Sequence, residues 1–330
     1  MIHLLICPHT LDFGGSQLSV HHWAKFLDKS RFKVSILAMK KGGLSGKFEK
    51  SYSVYYDDME YPNITDYIKK LKPDMVHACP GGGEPQKYIM EAAELGPVTQ
   101  TVMCPRKVSN ARYILGSVVL SKYVLSLQSE KKNIVQIDLP FDISDYDIKY
   151  SRKYFGLPEN KLIIGSLGNK RRENAHFMKI ARYYKNEQVH FVIKTNKRYK
   201  YLFGRKRITT INKSLSEDEK LSLLNCCDIF LYPTSNEAYG LVFLEAMSQK
   251  VPIISYHNSS IPEVVGGGGL LAPLNDIDKM EKLLDDLVMN PEKRKSLGQD
   301  GYELFLKRND PVLIAQKYES FFKEALKRAS

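Results

Sequence analysis

No stretch of this chain approaches the roughly 18 apolar residues that a membrane-spanning helix needs. The best candidate, Val118 to Leu127, is broken by Ser121 and Lys122. The opening segment, Met1 to Pro8, is apolar but only one strand long. It has no basic leader and no small-residue cleavage site after it, so no secretion signal is read there. The five cysteines, at 7, 79, 104, 226 and 227, are odd in number and contain no Cys-x-x-Cys pair. That spacing speaks against a zinc or thiol-redox site and for reduced thiols in a cytoplasmic setting. Short repeats and low-complexity tracts are also missing, which removes solenoid and disordered classes.

What is present is an ordinary globular balance, 43% hydrophobic and 26% charged. At 330 residues the chain exceeds the usual size of one core and predicts two domains. Lys and Arg number 49 against 37 Asp and Glu, a formal charge of +12, and most of the excess lies after residue 150. Such a field attracts anions: nucleotide diphosphates, acidic lipid headgroups or nucleic acid. The pattern along the chain is a βαβ series that runs twice. Apolar strands are predicted at His3–Cys7, Val34–Leu37, Met75–His77, Val98–Met103 and Val118–Leu120. After a proline- and aspartate-rich linker, 138–157, others follow at Leu162–Gly165, His190–Ile193, Ile208–Ile211, Ile229–Leu231 and Pro252–Ile254. Two doubly wound α/β domains result, 1–145 and 146–330, with a final helix over about 311–328 that can pack back on the first. Ligands of such folds bind at the carboxyl ends of the strands.

The strongest local signal is Asn236-Glu-Ala-Tyr-Gly-Leu-Val-Phe-Leu-Glu-Ala-Met247, directly after the strand Ile229–Leu231 and the loop Tyr232–Ser235. From Gly240 it reads as a helix. Glu237 then stands before the helix N-terminus and Glu245 about a turn and a half inside it. Free amides and the helix dipole suit a diphosphate, while the two carboxylates can accept hydrogen bonds from hydroxyls of a sugar and a ribose. The blander alternative makes Glu237 a loop cap and Glu245 a solvated helix residue.

This stretch, continued by Val251-Pro-Ile-Ile-Ser and Ile261-Pro-Glu-Val-Val, resembles the Glu-x7-Glu signature of the family-4 retaining glycosyltransferases of the GT-B fold. That fold sets two Rossmann-like domains facing across a cleft, and many of its members assemble glycans. Phe13-Gly-Gly-Ser-Gln17, Pro73-Asp-Met-Val-His77, Pro140-Phe-Asp142 and Tyr154-Phe-Gly-Leu-Pro158 are similar to further motifs of the family. By position, the resemblance implies that Glu237 contacts the transferred sugar, Glu245 the ribose, and the Tyr239-Gly240-Leu241 backbone the sugar and phosphates. Gly15, at the end of the first strand, lets backbone approach a phosphate or the acceptor closely. The glycine runs 81–83 and 266–269 read as turns.

Two departures from the family stand out. Its diphosphate-binding Arg and Lys are replaced in register by Asn169 and Glu173. The cations within reach are Lys170, Arg171 and Arg172, with Lys194 at the end of a strand as another; forked guanidinium donors favour Arg172 and then Arg171 as catalytic cations. The family's acceptor-side His is also missing from Thr101–Lys107. His77, Arg106 and Lys107 are the acceptor-side candidates, against a structural reading of His77 as a buried, hydrogen-bonded imidazole. The basic run Lys197–Arg207 reads as surface charge, or as attraction to an anionic membrane.

The resemblance implies transfer of a sugar from a UDP or GDP sugar to a glycan or lipid-linked acceptor, with retention, without cofactor or metal. No Asp-x-Asp stands where a metal-bound diphosphate would need it. Alternatives are a non-catalytic GT-B subunit and, on charge alone, a nucleic-acid binder, which lacks any recognition motif. A nicotinamide dehydrogenase fits less, because Gly14-Gly15 is not Gly-x-Gly-x-x-Gly.

Overall fold

A computed structural model describes residues 1–57, 63–79, 87–108, 114–130, 132–168, 171–195 and 207–329, leaving aside the side chains of residues 87, 88 and 171–173. The chain divides into two compact units, Met1–Phe141 with Asn309–Ser330, and Asp142–Arg308.

The first unit contains β1 (Ile2–Pro8), α1 (Gly15–Lys25), β2 (Phe32–Ala38), α2 (Ser45–Glu49), β3 (Ser53–Tyr56), α3 (Ile64–Leu71), β4 (Met75–Cys79), α4 (Lys87–Leu95), β5 (Val98–Val102), β6 (Ile114–Val119), α5 (Lys122–Ser126) and β7 (Ile134–Gln136). Their seven strands form one parallel sheet in the order β3-β2-β1-β4-β5-β6-β7. Six of the seven residues of β1 are buried, as expected of a central strand covered on both faces. On one face Leu5, Leu37 and Val76 pack with Ile64, Ile68 and Ile89 from α3 and α4. The other face is aromatic: Trp23 of α1 stacks on Tyr318 at 4.2 Å between ring centroids, with Phe322 beside them.

Tyr318 and Phe322 belong to α12 (Pro311–Ala329), the last helix, which lies on the first unit. Its seat is specific. Asn309, just before it, exchanges two hydrogen bonds of 2.6 Å with the backbone of Phe141. Buried Glu319 accepts from the Asp28 amide at 2.8 Å and pairs with Arg31 at 2.7 Å. Gly116 in β6 lets the helix approach, because a Cβ there would sit 2.8 Å from the Phe321 ring.

The second unit opens on a 3₁₀ turn at Ile143–Asp145. It comprises β8 (Leu162–Leu167), α6 (Arg171–Tyr183), β9 (Val189–Lys194), β10 (Ile208–Ile211), α7 (Glu217–Asn225), β11 (Ile229–Leu231), α8 (Leu241–Ser248), β12 (Ile253–Tyr256), α9 (Ile261–Val265), β13 (Gly269–Ala272), α10 (Ile277–Met289) and α11 (Pro291–Arg308). Its sheet is again parallel, in the order β10-β9-β8-β11-β12-β13. Both sheets share the 3-2-1-4-5-6 order of the Rossmann fold, in which the strand order reverses next to the first strand. Arg152 anchors the entry into this unit: it pairs with Asp228 at 2.8 Å and donates to the carbonyls of Cys226 and Lys161. Asp228 in turn accepts from the Ile163 amide, so the ion pair registers the start of β8 against that of β11.

Candidate active site

In the second sheet the reversal falls between β8 and β11, and the loops at their carboxyl ends are where such a fold holds a ligand. The β11–α8 loop carries Glu237. Gly240 ends it at φ +89°, in left-handed territory that an L-residue enters only with strain, and a Cβ there would meet the Phe243 ring at 2.6 Å. The glycine turns the chain abruptly into α8, whose first amides, at Leu241 and Val242, have no intrahelical acceptor. Tyr239 and Leu241 bury their side chains beside this turn.

The loop is held from its neighbour, the β12–α9 loop. Ser259 accepts from the Glu237 amide at 3.0 Å, Ser260 donates to the Glu237 carbonyl at 2.9 Å, and Asn258 donates to the Ser235 carbonyl. Ser259 does so at φ +52°, an uncommon conformation for a residue with a Cβ. Thr234 completes the clamp, its hydroxyl donating to the Glu237 carboxylate at 3.0 Å. Glu237 itself is half-buried. The sequence motif does not point to Thr234, Ser259 or Ser260; Ser-Ser after a strand carries no signal until the parallel pairing of β11 and β12 brings the two loops together.

Glu245 is not the solvated helix residue of the blander reading. It is buried, with its side chain 3% exposed, and pairs with Lys220 of α7 at 2.7 Å. The ammonium of Lys220 also contacts Glu217, one turn earlier in α7. Burial raises the Glu245 pKa while the Lys220 charge opposes it. For Lys220, burial works to lower the pKa, but Glu245 and Glu217 outweigh it and hold the group cationic. Tyr146, whose phenol is pushed up by burial and by Glu217, lies within the field of these carboxylates. Sequence reasoning misses Lys220 and Glu217, since 25 residues separate Lys220 from Glu245.

Of the proposed phosphate cations, Lys194 ends β9, half-buried, and its pKa is lowered by burial and by the Lys220 charge. Lys170 lies outside the described residues. Arg171 and Arg172 open α6, but their side chains lie outside the described residues. Buried Asn174 fixes the start of this helix, donating to the Gly168 carbonyl and to Thr195, both at 3.0 Å. Among the described residues of this unit, no three His, Cys, Asp or Glu side chains gather their ligand atoms as a metal site would.

In the first unit, Gly15 opens α1 after the extended Gly14. Arg106 and Lys107 sit in the loop after β5, half-buried and exposed respectively. Buried Gln128 clamps that loop, accepting from the Val108 amide and donating to the Arg106 carbonyl. His77 requires a correction as an acceptor-side residue. It has no exposed surface, both ring nitrogens are taken by Thr99 and Thr101 at 2.9 Å, and Trp23, Tyr318 and Phe322 enclose the ring. Burial pushes its pKa down to about 3, so it is a neutral structural imidazole.

The family comparison falls on this same region: residues 147–304 match the model for glycosyl transferases group 1. The match takes in just under half of the chain. The chain is 33% identical over 115 residues to an uncharacterized glycosyltransferase of Methanocaldococcus jannaschii, MJ1178, covering 34% of this chain and 30% of that one. The O-antigen biosynthesis glycosyltransferase WclY of Escherichia coli is 26% identical over 223 residues, 62% of this chain and 60% of the relative. The matched segments therefore span less than two thirds of either relative. Over the whole chain the fold is GT-B: the structure of Anabaena HepE with UDP-glucose superposes with a TM-score of 0.79 at 15% identity, covering 98% of this chain and all of that one.

Proposed function

We propose that this protein is a retaining glycosyltransferase that moves a sugar from a nucleoside diphosphate to a hydroxyl of a glycan or lipid-linked acceptor. The observation that carries the reading is the β11–α8 turn: a glutamate whose backbone is held by Ser259 and Ser260 and whose carboxylate is held by Thr234, three residues before a left-handed glycine and a helix N-terminus. In this reading Glu237 accepts hydrogen bonds from the sugar hydroxyls, the Tyr239-Gly240-Leu241 backbone meets the sugar and phosphates, and Glu245 faces the ribose. Lys170, Arg171, Arg172 and Lys194 supply positive charge to the diphosphate in place of the cations absent at Asn169 and Glu173. Similarity to a protein solved with UDP-glucose and to an O-antigen enzyme supports UDP as the carrier, with GDP as its competitor, and a glycan as the acceptor. Arg106 and Lys107 are the acceptor-side residues of the first unit.

The chemistry follows from those roles. The bond from the anomeric carbon to the phosphate oxygen breaks through an oxocarbenium-like state. The acceptor oxygen bonds on the same face, and its proton passes to the departing diphosphate. The protein positions the reactants and stabilises the leaving charge, both large contributions to barrier lowering. In this proposal cations and helix amides fill that role without a metal.

A second reading rests on Asn169 and Glu173: a GT-B subunit that binds the nucleotide sugar without turnover. A melting screen against UDP, GDP, ADP and their sugars tests the donor assignment. A bound nucleotide stabilises by RT ln(1 + [L]/Kd), about 2.7 kcal/mol at a hundredfold excess over Kd. UDP or GDP is expected to raise the melting temperature, with ADP inert; no response to any nucleotide would refute both readings.

A further inference from the structure

Glu245 is a buried carboxylate whose Oε1 is held by Lys220, while Oε2 has no hydrogen-bond partner among the described residues. Lys220 is itself pinned, between Glu245 on α8 and Glu217 on α7. A lone carboxylate at this depth would take up a proton rather than remain charged. A neutral acid also loses one of its acceptor oxygens to an O–H donor.

We propose that Lys220 is a positioning residue that keeps Glu245 ionised and turned so that its second oxygen accepts from the ribose hydroxyls, making this ion pair the determinant of ribose recognition. The inference rests on the reading above that Glu245 faces the ribose. Glu217 contributes by fixing the ammonium, so that Lys220 does not leave Glu245 for the diphosphate. The charged and titratable groups around the carboxylate are Lys220 and Glu217 on α7, Tyr146 after the 3₁₀ turn, and Lys194 at the end of β9, which lies in the field of Lys220 and Glu217. Lys220, Glu217, Glu245 and Lys194 together balance, two cations against two anions. Removing the Lys220 charge leaves an excess of buried negative charge, which protonation of Glu245 relieves.

The test is the ratio of dissociation constants for 2′,3′-dideoxy-UDP and UDP, measured by calorimetry at pH 8 and pH 6, with the GDP pair used instead if the melting screen selects it. Titration of the diphosphate cancels in this ratio. For hydrogen bonds to a charged acceptor the wild-type ratio is expected at roughly tenfold to a hundredfold, equal at the two pH values. Lys220→Arg keeps it, because the charge is retained. Lys220→Gln lowers it, to about threefold or less at pH 6 and by a smaller factor at pH 8, because the acid form gains population as pH falls. If Glu245→Gln loses the preference while Lys220→Gln retains the wild-type ratio at pH 6, the role of Lys220 is overturned and the ribose assignment stands. A wild-type ratio near one at both pH values removes the ribose assignment and this proposal with it. Should Lys220→Gln fail to fold, the wild-type protein still decides: a ratio that falls between pH 8 and pH 6 contradicts a lysine-held carboxylate, and a constant one supports it.

Discussion

Glu237 and Glu245 are the same side chain on one short stretch of sequence, yet their surroundings give them different work. Glu237 is half-buried in a loop and steadied by hydroxyls; Glu245 is buried in a helix and balanced by an ammonium. The pair is legible in the sequence by spacing and by resemblance, but the partners are not, because Ser259, Ser260 and Lys220 reach it from other elements. His77 shows the converse. A histidine in a Pro-Asp-x-Val-His strand reads as a structural imidazole before a functional one, and its neighbours decide. Its folded pKa near 3 lies below the ordinary 6.5, so its contribution to stability is complete above pH 6.5 and is lost as pH falls toward 3. Within that window each pH unit costs about 1.4 kcal/mol. Urea unfolding of wild type and His77→Gln at pH 7, 6 and 5 is expected to show a steeper loss in wild type by about that amount per unit below pH 6.5. Parallel curves would mean that the ring takes up a proton in the native state.

At the scale of elements, the site is two loops bound together at the ends of adjacent parallel strands. Removing the clamp by Ser259→Ala with Ser260→Ala is expected to lower kcat for sugar transfer about tenfold or more, with little change in nucleoside diphosphate affinity, because misplacing a positioning group acts on the transition state. Equal losses in kcat and affinity would place the clamp's effect on the whole site. Gly240→Ala combines left-handed strain with a clash against Phe243 and is expected to cost about 1–3 kcal/mol of stability and to weaken nucleotide binding as α8 is displaced. Strand positions are the part of the fold the sequence carries most directly, since buried parallel strands are near-continuous apolar runs. The strands outside the predicted set in the first unit, β3 and β7, sit at the sheet's edges, short and half-buried, with Tyr55, Tyr56 and Gln136 among their residues. Seating of α12 depends on contacts hundreds of positions away in sequence: Asn309 on Phe141, Glu319 on Asp28 and Arg31, and Tyr318 on Trp23. Tyr318→Ala is expected to destabilise by about 3–5 kcal/mol, the range for emptying a large aromatic site, as read from chemical denaturation.

For the whole molecule, the +12 charge separates nothing by itself, because diphosphates, lipid headgroups and nucleic acid all respond to it. What separates them is the pairing of a GT-B fold with the match of residues 147–304 to the group 1 glycosyl transferase model and a carboxylate held at the mouth of a helix. The reading depends most on charge supplied near Asn169 and Glu173, where the cations of the resembling family are replaced. The most direct measurement is release of nucleoside diphosphate from its sugar by the purified chain, with acceptor or with water alone, for wild type and Glu237→Ala. Turnover by wild type that falls about a hundredfold or more in Glu237→Ala, with the melting temperature preserved, is the predicted result. Wild-type rates from Glu237→Ala, or nucleotide binding by the wild type with no release from any nucleotide sugar, would contradict it.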